Sequence, residues 1–195
     1  MPHLAAAVRK VISGRKTSLI HHPLSWSGYL WDIEHPLDYL GADGGYGIGS
    51  GPGLTVGAAL ALRGSDRLPV SILGDSDFLM GLTAVWTGVH YKIPMLILVA
   101  NNHSYYNDEL HQERVAITRS RPVDNKWIGQ QMVGPELDIA TLARGQGAEG
   151  FGQVTSLKEL PGVIAEAVKA VDSGLVAVVD VRVAPGYYEP PTPSS

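Results

Sequence analysis

The chain has 195 residues, 45% hydrophobic and 17% charged, with a net charge of −4 and no cysteine. That composition fits one globular domain with enough apolar residues for a core. It excludes disulfides, thiolate chemistry and cysteine-ligated clusters, gives no basic footprint for nucleic acid, and contains no apolar run long enough to span a bilayer.

In chain order, residues 3–13 carry Leu4, Val8, Val11 and Ile12 at helical spacing and stop at Gly14. No charged region precedes an apolar stretch here, so no secretory signal is read and a cytoplasmic location is the default expectation. Thr17 to Ile20 reads as a short strand ended by His21-His22-Pro23, residues 26–33 as a short helix, and Leu37 to Leu40 as another short strand. Gly41 to Gly53 holds seven glycines, at 41, 44, 45, 47, 49, 51 and 53, so the backbone is expected to approach something closely there. Leu54 to Leu62 reads as a buried helix, 68–73 as an apolar strand, about 78–91 as a helix and 93–100 as a second apolar strand. Residues 103–135 are polar and expected to be irregular, a length usually tied to function. A helix (about 137–144), a strand near 147–151, a helix (156–172) and a strand (Leu175 to Val183) complete the domain. The proline-rich stretch 186–195 is left as a tail. Strands alternating with helices predict an α/β fold with a parallel sheet covered on both faces.

The chemistry concentrates where two strands end. Strand 68–73 runs into Gly74-Asp75-Ser76-Asp77, and strand 93–100 into Asn101-Asn102, the second asparagine lying 27 positions after Asp75. Taken alone, Asp75 reads as a helix cap and the asparagines as a turn. On adjacent parallel strands they bring hard oxygen ligands to one sheet edge, a donor set suited to Mg²⁺, at the edge where open α/β sheets bind ligands.

Gly-Asp-x followed after some 25 to 30 residues by Asn-Asn resembles the cofactor motif of thiamine diphosphate (ThDP)-dependent enzymes. The likeness is to the acetolactate synthase, benzoylformate decarboxylase and 2-hydroxyacyl-CoA lyase group. It covers residues 1–185 as their diphosphate-binding (PP) domain, with an expected sheet of about six strands between helices. Ser76, still small, departs mildly from the usual Gly or Ala after the aspartate, and Pro52-Gly53 from the usual Leu-Pro.

The resemblance implies that Asp75, the Asn102 side chain and the Ser104 carbonyl ligate Mg²⁺, and that Gly74, Ser76 and Asp77 cradle the diphosphate. Ser76 and Asp77 also open the next helix, whose amides favour anions. Gly47-Ile48-Gly49 resembles the segment that lays an apolar side chain beneath the cofactor. Ile48 is then the wedge that bends it, with Tyr46, Gly47 and Ile48 as backbone contacts. His21 and His22 are candidate donors to the diphosphate, and Trp26 reads as packing. His103, Tyr105, Tyr106, His111 and Gln112 are candidates to face cofactor or substrate, with His103 and Tyr106 the candidate catalytic side chains. Arg114, Arg119, Arg121 and the Tyr187-Tyr188 tail are weaker candidates on the same ground.

The family activates ThDP with a glutamate from a separate pyrimidine-binding (PYR) domain, which has no counterpart in this sequence. The expectation is therefore a PP-domain subunit of a split ThDP- and Mg²⁺-dependent lyase or carboligase, starting at its own Met1. It would act on a small 2-oxo acid or 2-hydroxyacyl-type substrate. It would be active with a PYR partner chain in an α₂β₂ or larger heteromer, with no nucleic-acid or membrane partner. An acetolactate synthase-like transferase subunit is the alternative within the class. A non-catalytic Mg²⁺/nucleotide-binding module is the alternative outside it, although Gly45-x-Gly47-x-Gly49 lacks the dinucleotide spacing and no Walker A sequence occurs.

Overall fold

A computed structural model describes residues 1–41 and 47–186. Five strands form one sheet: β1 (Thr17–His21), β2 (Leu68–Gly74), β3 (Met95–Asn101), β4 (Glu149–Val154) and β5 (Val176–Arg182). Their order is β1-β2-β3-β5-β4, and every neighbouring pair is parallel. Among the described residues seven helices accompany them: α1 (Pro2–Ile12), α2 (Gly51–Ala61), α3 (Asp75–Gly81), α4 (Thr83–His90), α5 (Tyr106–Thr118), α6 (Ile139–Gly145) and α7 (Leu160–Asp172).

The middle strands are apolar on both faces because both are covered. Along β3, Leu96, Leu98 and Ala100 join a core with α1 and α7, while Met95, Ile97 and Val99 join a second core with α2, α3, α4 and α6. The period of two along the strand thus divides one apolar run between two helix layers. Strand order explains which helix lies where. From β1 through β4 the chain advances in one direction across the sheet, and its crossover helices share a face. Only β4 to β5 runs back, and a right-handed crossover then places α7 on the opposite face. All five strands end along one edge, which carries Asp75, Asn101 and the glycine turn. Among the described residues no helix is long and apolar enough to cross a membrane.

The structure modifies several expected elements. Leu37–Leu40 makes a single parallel bridge, Leu19 to Tyr39, in place of a sixth strand. Asp38 turns the chain there, its Oδ2 accepting from the amides of Glu34 (2.9 Å) and His35 (2.7 Å). The helix expected over 26–33 is a 3₁₀ turn, Gly28–Leu30. The helix expected over 78–91 begins at Asp75 and divides at Leu82, beside a close crossing of the glycine turn.

The expectation of an irregular 103–135 is corrected by α5, thirteen residues long. Glu109 is its one fully buried residue, so α5 shows no apolar stripe to read. It is tied down by polar contacts instead. Ser104 Oγ donates to Glu109, and Lys126 Nζ donates to Glu113 at 2.9 Å.

The crossing between the glycine turn and the α3–α4 junction has no room for side chains. A Cβ on Gly81 would lie 2.5 Å from the Gly49 carbonyl oxygen and 2.8 Å from the Pro52 ring, and Gly49 itself has φ +97°. In the middle of α2, Gly57 has nothing within 4 Å of its missing Cβ. Gly81→Ala is therefore expected to lower the unfolding free energy by about 1–3 kcal/mol through overpacking. Gly57→Ala is expected to raise it by about 0.4–1 kcal/mol. Urea denaturation of both variants checks the pair; equal effects would refute the close crossing.

Candidate functional site

The strand ends open into one cleft with about 860 Å³ of space continuous with solvent. β2 contributes Gly74, leading into Asp75, Ser76 and Asp77 of α3; β1 contributes His21; the loop after it, His22; the turn before α2, Gly47 and Ile48. The segment after β3 supplies Asn102, Ser104, Tyr105 and Tyr106. These twelve expected site residues come from four separate stretches of chain, and all line this one cleft. Tyr46 and Tyr187-Tyr188 lie outside the described residues.

Asp75 is the centre of the arrangement. It is 2% exposed; the Ser76 amide donates to its Oδ1 at 2.8 Å and the His103 amide to its Oδ2 at 2.6 Å. Burial raises its pKa above the usual carboxylate value, and these hydrogen bonds oppose the rise. Burial, with the negative charge of Asp75 next, also raises the pKa of Tyr105.

The two asparagines separate by role. Asn101 is fully buried and points into the protein, its Nδ2 donating to Asp180 Oδ1 at 3.1 Å and its Oδ1 accepting from the His103 amide at 3.2 Å. Asn102 faces the cleft, its Oδ1 accepting from the Ser104 amide at 2.9 Å. Among the described residues no group of three or more His, Cys, Asp or Glu is placed to hold a metal. Asp75 and Asn102 bring a carboxylate and a side-chain amide oxygen to the cleft, hard donors that fit Mg²⁺ better than a softer metal.

Two histidines among the expected site residues are placed in ways the sequence did not show. His103 does not line the cleft. Its backbone takes a left-handed turn (φ 58°), and its ring is buried with Nε2 3.2 Å from Gln153 Nε2. His22 lines the cleft but its ring nitrogens are engaged: Nδ1 lies 3.1 Å from the Pro23 carbonyl and Nε2 3.1 Å from the Tyr39 hydroxyl. A carbonyl neighbour requires Nδ1 to carry the proton, leaving Nε2 to accept from Tyr39. Burial lowers the His22 pKa, and the ring stacks on Tyr39 and Trp26. Both ring nitrogens of His22 thus have partners within the protein. Trp26 is core packing, as read from the sequence. His111, Arg114, Arg119 and Arg121 are exposed and outside the cleft lining.

Asp180 and Gln153 were not anticipated as site residues. Asp180 sits fully buried in β5 behind Asn101. The available signal was a lone carboxylate inside the apolar run Val176-Ala-Val-Val-Asp180-Val. Burial foremost, then the like charges of Asp138 and Asp75, raise its pKa to about 6, against the pull of hydrogen bonds from Asn101 and Gln153.

A parallel α/β sheet whose cleft gathers an aspartate, an asparagine and a glycine turn at the carboxyl ends of the strands defines a ligand-binding domain of the doubly wound class. A family model described as "Thiamine pyrophosphate enzyme, C-terminal TPP binding domain" matches residues 20–181. The chain belongs to that family. It is 27% identical over 154 residues to benzoylformate decarboxylase of Pseudomonas aeruginosa, covering 79% of this chain and 27% of that protein. It is 26% identical over 161 residues to the acetolactate synthase large subunit of Parasynechococcus marenigrum, covering 80% of this chain and 24% of that protein. The fold is that of a benzoylformate decarboxylase from Polynucleobacter necessarius, with a TM-score of 0.75 and 23% identity over 94% of this chain and 33% of that one. A 4-hydroxybenzoylformate decarboxylase from Rhodococcus jostii matches similarly, with a TM-score of 0.72 and 23% identity over 97% of this chain and 33% of that one. The chain thus spans about a quarter to a third of the length of these relatives.

The Asp180 carboxyl gives a pH test of the buried network. Folded, it holds its proton up to about pH 6, whereas an unfolded aspartate releases it near 3.8. The folded state therefore binds more protons between those values, so this contribution to stability is present below the window and is lost as pH rises through it. Asp180→Asn keeps an acceptor for Asn101 and cannot ionise. Its melting temperature relative to wild type is expected to improve from pH 4 to about pH 6, and thermal melts across that range check it.

Proposed function

We propose that this chain is the diphosphate-binding part of a ThDP- and Mg²⁺-dependent enzyme that breaks or forms a carbon–carbon bond next to the carbonyl of a 2-oxo acid or 2-hydroxyacyl-type substrate. The observation that carries the reading is the meeting of Asp75, Asn102 and Ser104 with Ile48 in one cleft. Oxygen ligands for a metal and an exposed apolar side chain are otherwise unrelated features, and a cofactor with a diphosphate at one end and flat rings at the other uses both.

In this reading Asp75, Asn102 Oδ1 and the Ser104 carbonyl would hold Mg²⁺, whose charge would favour a diphosphate in the cleft. When bound, ThDP supplies an electron sink for the bond that is broken or formed. The chain's own part is positional. Asp75 is held ready by the Ser76 and His103 amides. Ile48, 50% exposed at the tip of its turn, offers an apolar surface that keeps water from the face it covers. Tyr105 and Tyr106 line the cleft on the α5 side, where a substrate would enter.

The activating glutamate belongs, in this proposal, to a PYR domain on another polypeptide segment, consistent with the relatives' length being three to four times that matched here. The decarboxylase similarities favour decarboxylation or carboligation, with acetolactate synthase-like transfer as the second reading. The intact assembly would be soluble, cytoplasmic and heteromeric.

Calorimetric titration with ThDP, with and without Mg²⁺, tests the reading. Binding is expected to depend on the metal, and Asp75→Ala is expected to weaken it at least about a hundredfold, the upper end for loss of a group supporting a metal site. Binding without Mg²⁺ that Asp75→Ala leaves unchanged would remove the metal assignment. Absence of any ThDP binding in the presence of a PYR-domain partner would favour the nucleotide-binding module instead.

A further inference from the structure

Asp77 stands two residues beyond Asp75 in α3, yet its side chain turns away from Asp75 and toward the glycine turn. It is 8% exposed. Its Oδ1 accepts two backbone hydrogen bonds, from Gly49 at 2.7 Å and Gly51 at 3.1 Å. Its Oδ2 accepts no hydrogen bond among the described residues and faces His21 Nε2 at 3.5 Å. The fit is close: a Cβ on Gly51 would lie 2.1 Å from Oδ2.

The two amides lie on the downstream side of Ile48, one inside and one just after a tight turn in which Ser50 N donates to Gly47 O at 3.1 Å. Ile48 is half exposed and gains little from its own packing. Its position is therefore set by the backbone that follows it. The downstream side is fixed again by Thr55 Oγ1, 2.7 Å from the Gly51 carbonyl oxygen. A carboxylate accepting from two amides makes charge-assisted hydrogen bonds, about twice as strong as neutral ones.

We propose that Asp77 is a positioning residue that clamps the 47–51 turn and sets Ile48 in the cleft before any ligand arrives. What the clamp needs is an acceptor at the Oδ1 position; the negative charge strengthens the two bonds but does not define the turn. The consequence for cofactor binding rests on the function proposed above: a turn set in advance spares the cofactor the entropy of ordering it.

Hydrogen exchange in the cofactor-free chain reads the clamp directly. Asp77→Ala is expected to speed exchange at the Gly49 and Gly51 amides at least about tenfold, with amides of β3 and β5 unchanged, as for a local rather than global opening. Asp77→Asn retains an acceptor and is expected to stay within about threefold of wild type. Asp77→Ser, too short to reach both amides, gives the same reading as alanine if the alanine variant does not fold. Unchanged exchange in Asp77→Ala or Asp77→Ser, or equally fast exchange in Asp77→Asn, overturns the proposal. ThDP titration in Mg²⁺ then separates the two claims. If wild type binds, Asp77→Ala is expected to weaken binding about tenfold through loss of the preset turn. If wild type does not bind, the proposed function fails while the exchange result still decides the clamp.

Discussion

The His103 amide joins the ends of two strands. It donates to Asp75 at the end of β2 while also lying against Asn101 at the end of β3. The bond needs a chain that turns sharply on leaving β3, and the left-handed conformation of His103 provides that turn. Everything on the α5 side of the cleft follows from it. Asn102 is directed outward, Ser104 pairs with Gln131, and α5 starts two residues later. A β-strand alternates its side chains, so Asn101 and Asn102 diverge once the strand ends, one into the protein and one into the cleft. The repeated asparagine is therefore two residues with separate tasks.

Behind this edge lies a polar chain inside an otherwise apolar sheet: Asp180, Asn101, the His103 amide, Asp75. Polar groups in such surroundings are costly when unpaired and stiff when paired. The network thus restricts the mouth of the cleft to few arrangements, and the glycine turn on the opposite wall is restricted by Asp77 in the same manner. Two carboxylates of α3, one facing each wall, make that short helix the common reference for the site.

Much of this was legible in the sequence, and the reasons are specific. β2, β3 and β5 stand out because a strand buried on both faces needs no polar residues, and Leu68–Leu73, Ile93–Ala100 and Leu175–Val183 supply nearly none. Asp75, Asn102 and the glycine stretch were readable because each ends such a strand or opens the next helix. α5 was not, since its stability comes from Glu109 and Glu113 contacts rather than an apolar stripe. The ring directions of His103 and His22 were equally hidden. They depend on a backbone angle and on Tyr39, 17 residues away from His22. Asp77 was visible as a residue, but the direction of its side chain depends on where Gly49 and Gly51 cross α3.

Both borders of the sheet are interrupted. Outside β1, Leu19 already gives its amide to Asp38 and its carbonyl to Leu40. At the other border β4 loses register with β5 between Phe151 and Val154, where Gly152 takes φ +107° against the Asp180 carbonyl. A strand of another polypeptide needs a straight ladder of free amides and carbonyls to add itself to a sheet. Neither border offers one. Borders of this kind disfavour edge-to-edge pairing of one sheet with another.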